Sequence, residues 1–230
     1  MSQAETGWIP VALARDVEPS SSMGTQIHGQ EIVVWRDSAG QSHVWEDRCP
    51  HRGMRLSFGF VRGNHIACLY HGWEFDTAGQ CRKIPAHPEL EVPKAIKTVR
   101  YASAEAAGMV WVHEAPAEGA LPPGLPAAEP VRSLYLDCPA ARLVGALREG
   151  DGKVRVTGDE GQLLTLDFCG AKLLGGVQPL TEDQCALHLA LPAPGADPQA
   201  IVDWSEALRR RLEAAPVPDT SAAALAEAVA

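Results

Sequence analysis

Residues 49–73 read CPHRGMRLSFGFVRGNHIACLYHGW, and the spacing of Cys and His within them decides how the chain is understood. Cys49 and His51 form a Cys-x-His pair. Cys68 and His71 form a Cys-x-x-His pair, with sixteen residues between the two pairs. Two thiolates and two imidazoles make a complete four-ligand set for a soft or borderline metal. Zinc is the simplest occupant, but zinc fingers place both cysteines before both histidines, so each half of that site is of one ligand type. Here each loop supplies one Cys and one His. That alternation suits an iron–sulfur cluster with two inequivalent irons, one held by the cysteines and the other by the histidines. Pro50 and Gly53 favour a tight turn in the first loop, and Gly72 does so in the second.

The pattern resembles the signature of the Rieske family, and CPHRG with CLYHGW resembles the variant found in Rieske non-haem iron oxygenases. The likeness covers roughly residues 7 to 114. It implies a 2Fe–2S cluster bound by Cys49, His51, Cys68 and His71 on a fold of stacked antiparallel β-sheets. It also implies that the two histidines lie at the surface, facing a redox partner. Respiratory members of the family carry an extra Cys in each loop, joined as a disulfide, and a Ser and a Tyr after the second His whose hydroxyls bond to cluster sulfurs. CPHRGM and CLYHGW contain no such cysteines, and Trp73 and Phe75 stand at the hydroxyl positions. Fewer donors to sulfur stabilise the reduced cluster less, so a potential at the low end of the Rieske range is expected.

The rest of the chain bounds the function. At 230 residues and 24.5 kDa it has room for one large domain or two small ones. A net charge of −9 argues against a nucleic-acid partner. The N-terminal MSQAETGWIPVALARDVEP lacks a basic stretch followed by an apolar core, so no secretory signal is expected. No run reaches the roughly eighteen apolar residues of a membrane span. A cytoplasmic protein is expected, and there the scattered Cys81, Cys138, Cys169 and Cys185 read as small buried hydrophobes or free thiols rather than a disulfide framework.

The pattern of elements is mainly β. EIVVW (31–35) and SHVWE (42–46) read as a hairpin, as does WEFDTAGQCRKIP around its TAG turn. IKTVRYA (96–102) and MVWVHE (109–114) complete a Rieske-type domain over 1–114. Residues 115–130, APAEGALPPGLPAAEP, read as a Pro-rich linker. In 131–215, five apolar runs (VRSLYLDC, KVRVTG, QLLTLDF, AKLLGGVQPL and QCALHLAL) precede a helix of roughly 198 to 215. Asp197 caps that helix, and Ile201, Trp204, Leu208 and Leu212 share one of its faces. This order of elements resembles a truncated helix-grip domain, giving a short α+β region after the β-domain. Residues 216–230 read as a tail, expected to be disordered.

Rieske oxygenases usually hold a mononuclear iron in the helix-grip domain, on two histidines four or five residues apart and a distant carboxylate. After Trp73 only His87, His113 and His188 remain, and no two are close in sequence. His87 reads as a loop residue, His113 as the end of a strand and His188 as a core or interface residue. No catalytic residues are therefore assigned. The expected role is the electron-transfer subunit of a hetero-oligomeric Rieske-type oxygenase, receiving electrons from a reductase or ferredoxin and passing them to a mononuclear iron on a partner subunit. The alternatives are a free-standing Rieske ferredoxin shuttle, for which residues 131–215 would be superfluous, and a zinc-binding scaffold. The substrate class is not legible in the sequence.

Overall fold

The computed structural model describes residues 7–113 and 125–214, and the fold is mainly antiparallel β. In the first half, β1 (Trp8–Leu13), β2 (Ser21–Ile27), β3 (Gln30–Arg36), β4 (Ser42–Glu46), β9 (Arg100–Ala106) and β10 (Met109–His113) form one sheet in the order β1-β10-β9-β4-β3-β2. The short strands β5 (Phe60–Arg62), β6 (His65–Ala67), β7 (Glu74–Asp76) and β8 (Cys81–Lys83) form a second sheet in sequence order. Strand β3 shows why its apolar run is unbroken. Side chains alternate between the faces of a strand, so one covered on both faces needs no polar positions. Val33 and Trp35 pack with Trp45, Leu56, Ile66 and Phe75 on the small sheet's side, while Ile32 and Val34 pack with Val11, Val44, Val110 and Val112 on the other.

Both expected hairpins form, β3 with β4 and β7 with β8. The Asp76 carboxylate closes the second by accepting from the backbone N–H groups of Ala78 and Gln80. The strand expected at 96–102 instead spans 100–106. Residues 96–98 are drawn to the β7–β8 hairpin, where the Ile96 carbonyl accepts from Cys81 N–H and the Thr98 N–H donates to the Gly79 carbonyl. That competition removes them from the main sheet.

The second half contains β11 (Glu129–Leu136), α1 (Ala140–Glu149), β12 (Val154–Glu160), β13 (Leu163–Phe168), β14 (Ala171–Pro179), β15 (Cys185–Leu191) and α2 (Pro198–Ala214), with sheet order β11-β15-β14-β13-β12. Helix α2 begins as expected: Asp197 accepts from Gln199 N–H through its side chain. Ile201, Trp204, Leu208 and Leu212 are buried against the sheet. Helix α1 is an addition to the expected strands-then-helix order. It buries Leu143 and Leu147, one turn apart, but it is only ten residues long with Gly145 in its interior, a residue that costs about 1 kcal/mol in a helix. Of the expected linker 115–130, residues up to 124 lie outside the described ones, and Glu129 and Pro130 already belong to β11. The expected tail 216–230 also lies outside.

An apolar seam joins the halves. Trp8, Leu13, Met109 and Trp111 pack with Leu163, Leu174 and Ala190. A Cβ at Gly176 would fall 2.7 Å from Met109 Sδ and 2.9 Å from Pro10 Cγ, so the close approach requires glycine there. Backbone bonds from His28 N–H to the Pro179 carbonyl and from Gly29 N–H to that of Leu180 add to the seam.

Candidate metal centre

The two ligand-bearing loops share one hydrogen-bond scheme. In the first, Cys49 N–H donates to the Met54 carbonyl and Gly53 N–H returns to the Cys49 carbonyl, both at 2.8 Å. In the second, Cys68 N–H donates to Trp73 and Gly72 N–H to Cys68, both at 2.9 Å. Each loop is thus a closed turn with Cys first and Gly fifth. Gly53 and Gly72 have φ of +74° and +68°, a region that glycine enters without steric cost. Within this shared scheme His falls third in one loop and fourth in the other.

Three contacts hold the loops in place. The buried Asp47 carboxylate accepts from Ser57 N–H at 2.7 Å and from its hydroxyl at 2.5 Å, bracing the first loop from both sides. A Cβ on Gly59 would lie 2.2 Å from the Ala67 carbonyl oxygen, so glycine there lets the first loop's exit touch the second loop's entrance. Strand β6 then delivers Cys68 beside Cys49. Neither Asp47 nor Gly59 emerges from the sequence reading, because the signal in each is a contact and not a spacing.

The four donors divide two and two. Cys49 and Cys68 are both buried in the apolar core with Leu56, Ile66 and Phe75. Burial pushes the Cys49 thiol up to about 12, and the neighbouring Cys68 adds to the rise. Only a cationic centre would hold both as thiolates. His51 is half-buried and His71 exposed, their rings 4.7 Å apart. His51 stacks on Trp73 at 4.3 Å and an interplanar angle of 6°, and Tyr70 lies 3.8 Å from His71. Loss of hydration lowers the His51 pKa, and the His71 and Arg52 charges lower it further. Among the described residues, no three His, Cys, Asp or Glu side chains converge on a single-ion position. A core thiol pair with a surface imidazole pair fits a two-iron cluster, in which each metal takes one kind of ligand.

The remaining histidines lie apart from this centre. His87 sits in an exposed turn, and His113 ends β10 with its ring edge-on to Trp8 at 5.3 Å. His188 is fully buried in β15, with Nδ1 2.9 Å from the Ser133 hydroxyl and Nε2 2.9 Å from Gln178 Oε1. The second half's space between sheet and helices is filled by apolar side chains, among them Leu134, Leu166, Leu187 and Trp204.

Comparison with known proteins agrees with the geometry. Residues 7–98 match the model of the Rieske [2Fe-2S] domain. The chain is 37% identical over 105 residues to the oxidoreductase NdmD of Pseudomonas putida, covering 45% of this chain and 18% of that protein. It is 38% identical over 124 residues to the 4beta-methylsterol monooxygenase of Methylococcus capsulatus, covering 52% and 32%. The chain therefore spans less than a third of the length of either relative. A structure of the Pseudomonas putida NdmA QL mutant with theobromine superposes with a TM-score of 0.70 at 17% identity, covering 93% of this chain and 83% of that one, so the likeness of fold extends into the second half. Residues 7–98 belong to the Rieske [2Fe-2S] domain family, and the cofactor of this chain is the 2Fe–2S cluster that such a domain carries.

Proposed function

We propose that Cys49 and Cys68 hold one iron of the cluster and His51 and His71 the other, and that the chain is the electron-transfer subunit of a hetero-oligomeric Rieske-type oxygenase of the cytoplasm. A reductase or ferredoxin supplies the electrons, and a mononuclear iron on a partner subunit receives them. When bound, the cluster supplies one-electron transfer. The residues of this chain orient it, exclude water from its sulfur side and present its imidazole side to the surface. Leu69 and Tyr70, about half exposed beside His71, give that face an apolar contact area for a partner.

One observation carries the partner assignment. Both ring nitrogens of His188 are engaged by Ser133 and Gln178, and the core around β15 is closed and apolar. This supports reading the described residues of the second half as a packed support, with the mononuclear iron on a partner subunit. Iron and sulfide analysis of the full-length protein, with co-purification of neighbouring gene products, tests the reading. Two irons per chain are expected, with oxidation of the reduced cluster accelerated by a co-purifying iron subunit. A third tightly bound iron, or substrate turnover by this chain with a reductase alone, would overturn it. Removing residues 131–230 is a poor test, since it would strip the cover from Trp8, Leu13 and Met109 at the seam.

A second outcome concerns the potential. Phe75 is fully buried in the same cluster of side chains as both thiols and offers no hydroxyl. Phe75→Tyr is expected to raise the midpoint potential if the new hydroxyl reaches a ligand sulfur. If it does not, the buried hydroxyl is unpaired and costs about 1–3 kcal/mol of stability with the potential unchanged. A wild-type potential near the top of the Rieske range, about +300 mV, would contradict the low-potential reading.

A further inference from the structure

Among the described residues, β2 pairs with β3 alone, so its other side is a free sheet edge. The two strands are joined by a two-residue turn in which His28 and Gly29 hold φ of +48° and +81°, the pair that a type I′ hairpin needs. Such a turn closes on a mutually hydrogen-bonded pair, here Ile27 with Gln30. Bonded and unbonded pairs alternate in an antiparallel ladder. Met23 and Thr25 therefore bond to β3, while the N–H and C=O groups of Ser22, Gly24 and Gln26 point away from it. Two contacts agree with this phase. The Gln26 carbonyl accepts from Gln178 Nε2 at 2.8 Å, from outside the sheet. Glu31, opposite Gln26, offers its carbonyl to Asp47 N–H on the β4 side. Edges are commonly protected by charged residues or proline, and SSMGTQI, the sequence of β2, has neither.

A groove of about 460 Å³ lies along this edge. Ser22 to Gln26 line it on the β2 side, and Tyr135, Leu180 and Gln184 line it from the second half. One end is closed where the His28 and Gly29 N–H groups donate to the Pro179 and Leu180 carbonyls. Phe58 and Tyr135 border the groove and are 57% and 46% exposed, large side chains for a surface position. The wall from the second half decides what can enter. In a second copy of the chain β2 lies behind the same wall, so two such edges cannot meet. A single extended segment fits, because a neighbouring strand needs only about 4.8 Å of separation. Charge narrows the occupant further. Glu31, Asp47 and Arg55 line the groove, and an adjoining cleft of about 320 Å³ adds Glu46 and Arg48. Three carboxylates against two guanidiniums, on a chain of net charge −9, favour a basic residue in the occupant.

We propose that this edge is the docking site for an extended segment of a protein partner, which adds to β2 as an antiparallel strand. In such recognition main-chain bonds give affinity and alternate side chains give specificity. The bonds run to the free groups of Ser22 and Gly24 and to the Gln26 N–H. Antiparallel addition puts the N-terminal end of the segment beside Gln26, whose ladder partner is Glu31. The segment therefore carries Lys or Arg at that end. β-Branched residues follow, with alternate side chains resting on Phe58 and Tyr135. Ser57, which also lines the groove, braces the first ligand loop through Asp47, so a strand seated on β2 tethers its partner beside that loop. This docking holds whether or not the partner carries an iron.

The test uses the full-length protein with its cluster loaded and a capped, fluorescein-labelled peptide of sequence KVTVTV. Anisotropy titration should show saturable binding, and the reversed-charge peptide EVTVTV should bind more weakly. Two N-methylated forms of KVTVTV, blocked on alternate amides, separate strand addition from adhesion to the surface: one phase should lose binding and the other keep it. Ser22→Pro removes an edge N–H that β3 does not use and should weaken binding roughly tenfold. Ser22→Ala, which loses only the hydroxyl bonded to the Ser57 carbonyl, should not. If Ser22→Pro fails to fold, the N-methylated pair decides on the unaltered protein. Amide exchange at Ser22, Gly24 and Gln26 should slow when the peptide is added. No saturable binding of KVTVTV at millimolar concentration, or equal binding of the two N-methylated forms, would overturn the proposal. So would slow exchange at these amides before any peptide is added. Lost on dilution, that protection would place a second copy on the edge; unchanged on dilution, it would place a segment of the same chain there.

Discussion

Cys68→Ala is expected to abolish the visible and EPR signals of the cluster and to unfold much of residues 49–75 with it. Two effects must be separated, because Cys68 is also a core residue packed with Leu56, Ile66 and Phe75. Truncating a buried Cys to Ala removes one sulfur, and packing alone makes that worth about 1 kcal/mol. Losing the cluster removes the clamp between the two loops. Metal binding at such sites is itself folding free energy, so several kcal/mol should vanish with it. Cys81→Ala supplies the control. Cys81 is buried in the same core but lies outside the proposed ligand set, so its truncation should cost the packing amount and leave the spectrum intact. His51→Ala approaches from the other side. Its imidazole is half-buried and rests on Trp73, so little packing is lost, yet the signal should disappear. A normal spectrum in Cys68→Ala or His51→Ala, or its loss in Cys81→Ala, would refute the ligand assignment.

The parts of the molecule that could be read in advance are those governed by short-range rules. The Cys and His spacing of residues 49–71, the glycine turns and the apolar alternation of β3 and β4 are local in sequence, and the structure carries them over directly. So is the face of α2. What stayed hidden depends on residues distant in sequence meeting in space. Gly59 matters because the Ala67 carbonyl abuts it, and Asp47 because Ser57 turns back to it. Helix α1 was hidden because its buried stripe, Leu143 and Leu147, is only two residues long and Gly145 interrupts it, and the sheet supplies the stability its composition lacks. The start of β9 shifted because residues 96–98 had a competing partner in the β7–β8 hairpin. His188 was read correctly as a core or interface residue, but its hydrogen-bond partners were not foreseeable. They come from β11 and β14, and through Gln178 from β2.

Those partners give His188 a measurable pH dependence. The Gln178 Nε2 donates to the Gln26 carbonyl at 2.8 Å and to the Thr25 hydroxyl at 2.9 Å. A carbonyl can only accept, so the amide orientation is fixed, and Gln178 Oε1 must accept from His188 Nε2–H. In the neutral ring Nδ1 then accepts from the Ser133 hydroxyl, which also lies 3.1 Å from the Asp16 carboxylate. One hydroxyl proton cannot serve both acceptors. Protonating His188 would let Ser133 accept from the ring and donate to Asp16, and so would relieve that conflict. Burial opposes this and wins, lowering the His188 pKa from 6.5 to about 4. The unfolded chain therefore binds a proton between pH 6.5 and 4 that the folded chain refuses. Stability rises with pH across that window, being fully present above about 6.5 and lost progressively towards 4. At pH 5 the loss relative to pH 7 should be about 2 kcal/mol from this residue. His188→Gln can still donate and accept but cannot titrate. Thermal melts of the full-length wild type and of this variant between pH 5 and 7 isolate the effect, because the other histidines are common to both. The variant should be the less stable at pH 7, by about 1–2 kcal/mol, and the gap should close or invert by pH 5. Parallel curves across the window would show that His188 is not held neutral by burial.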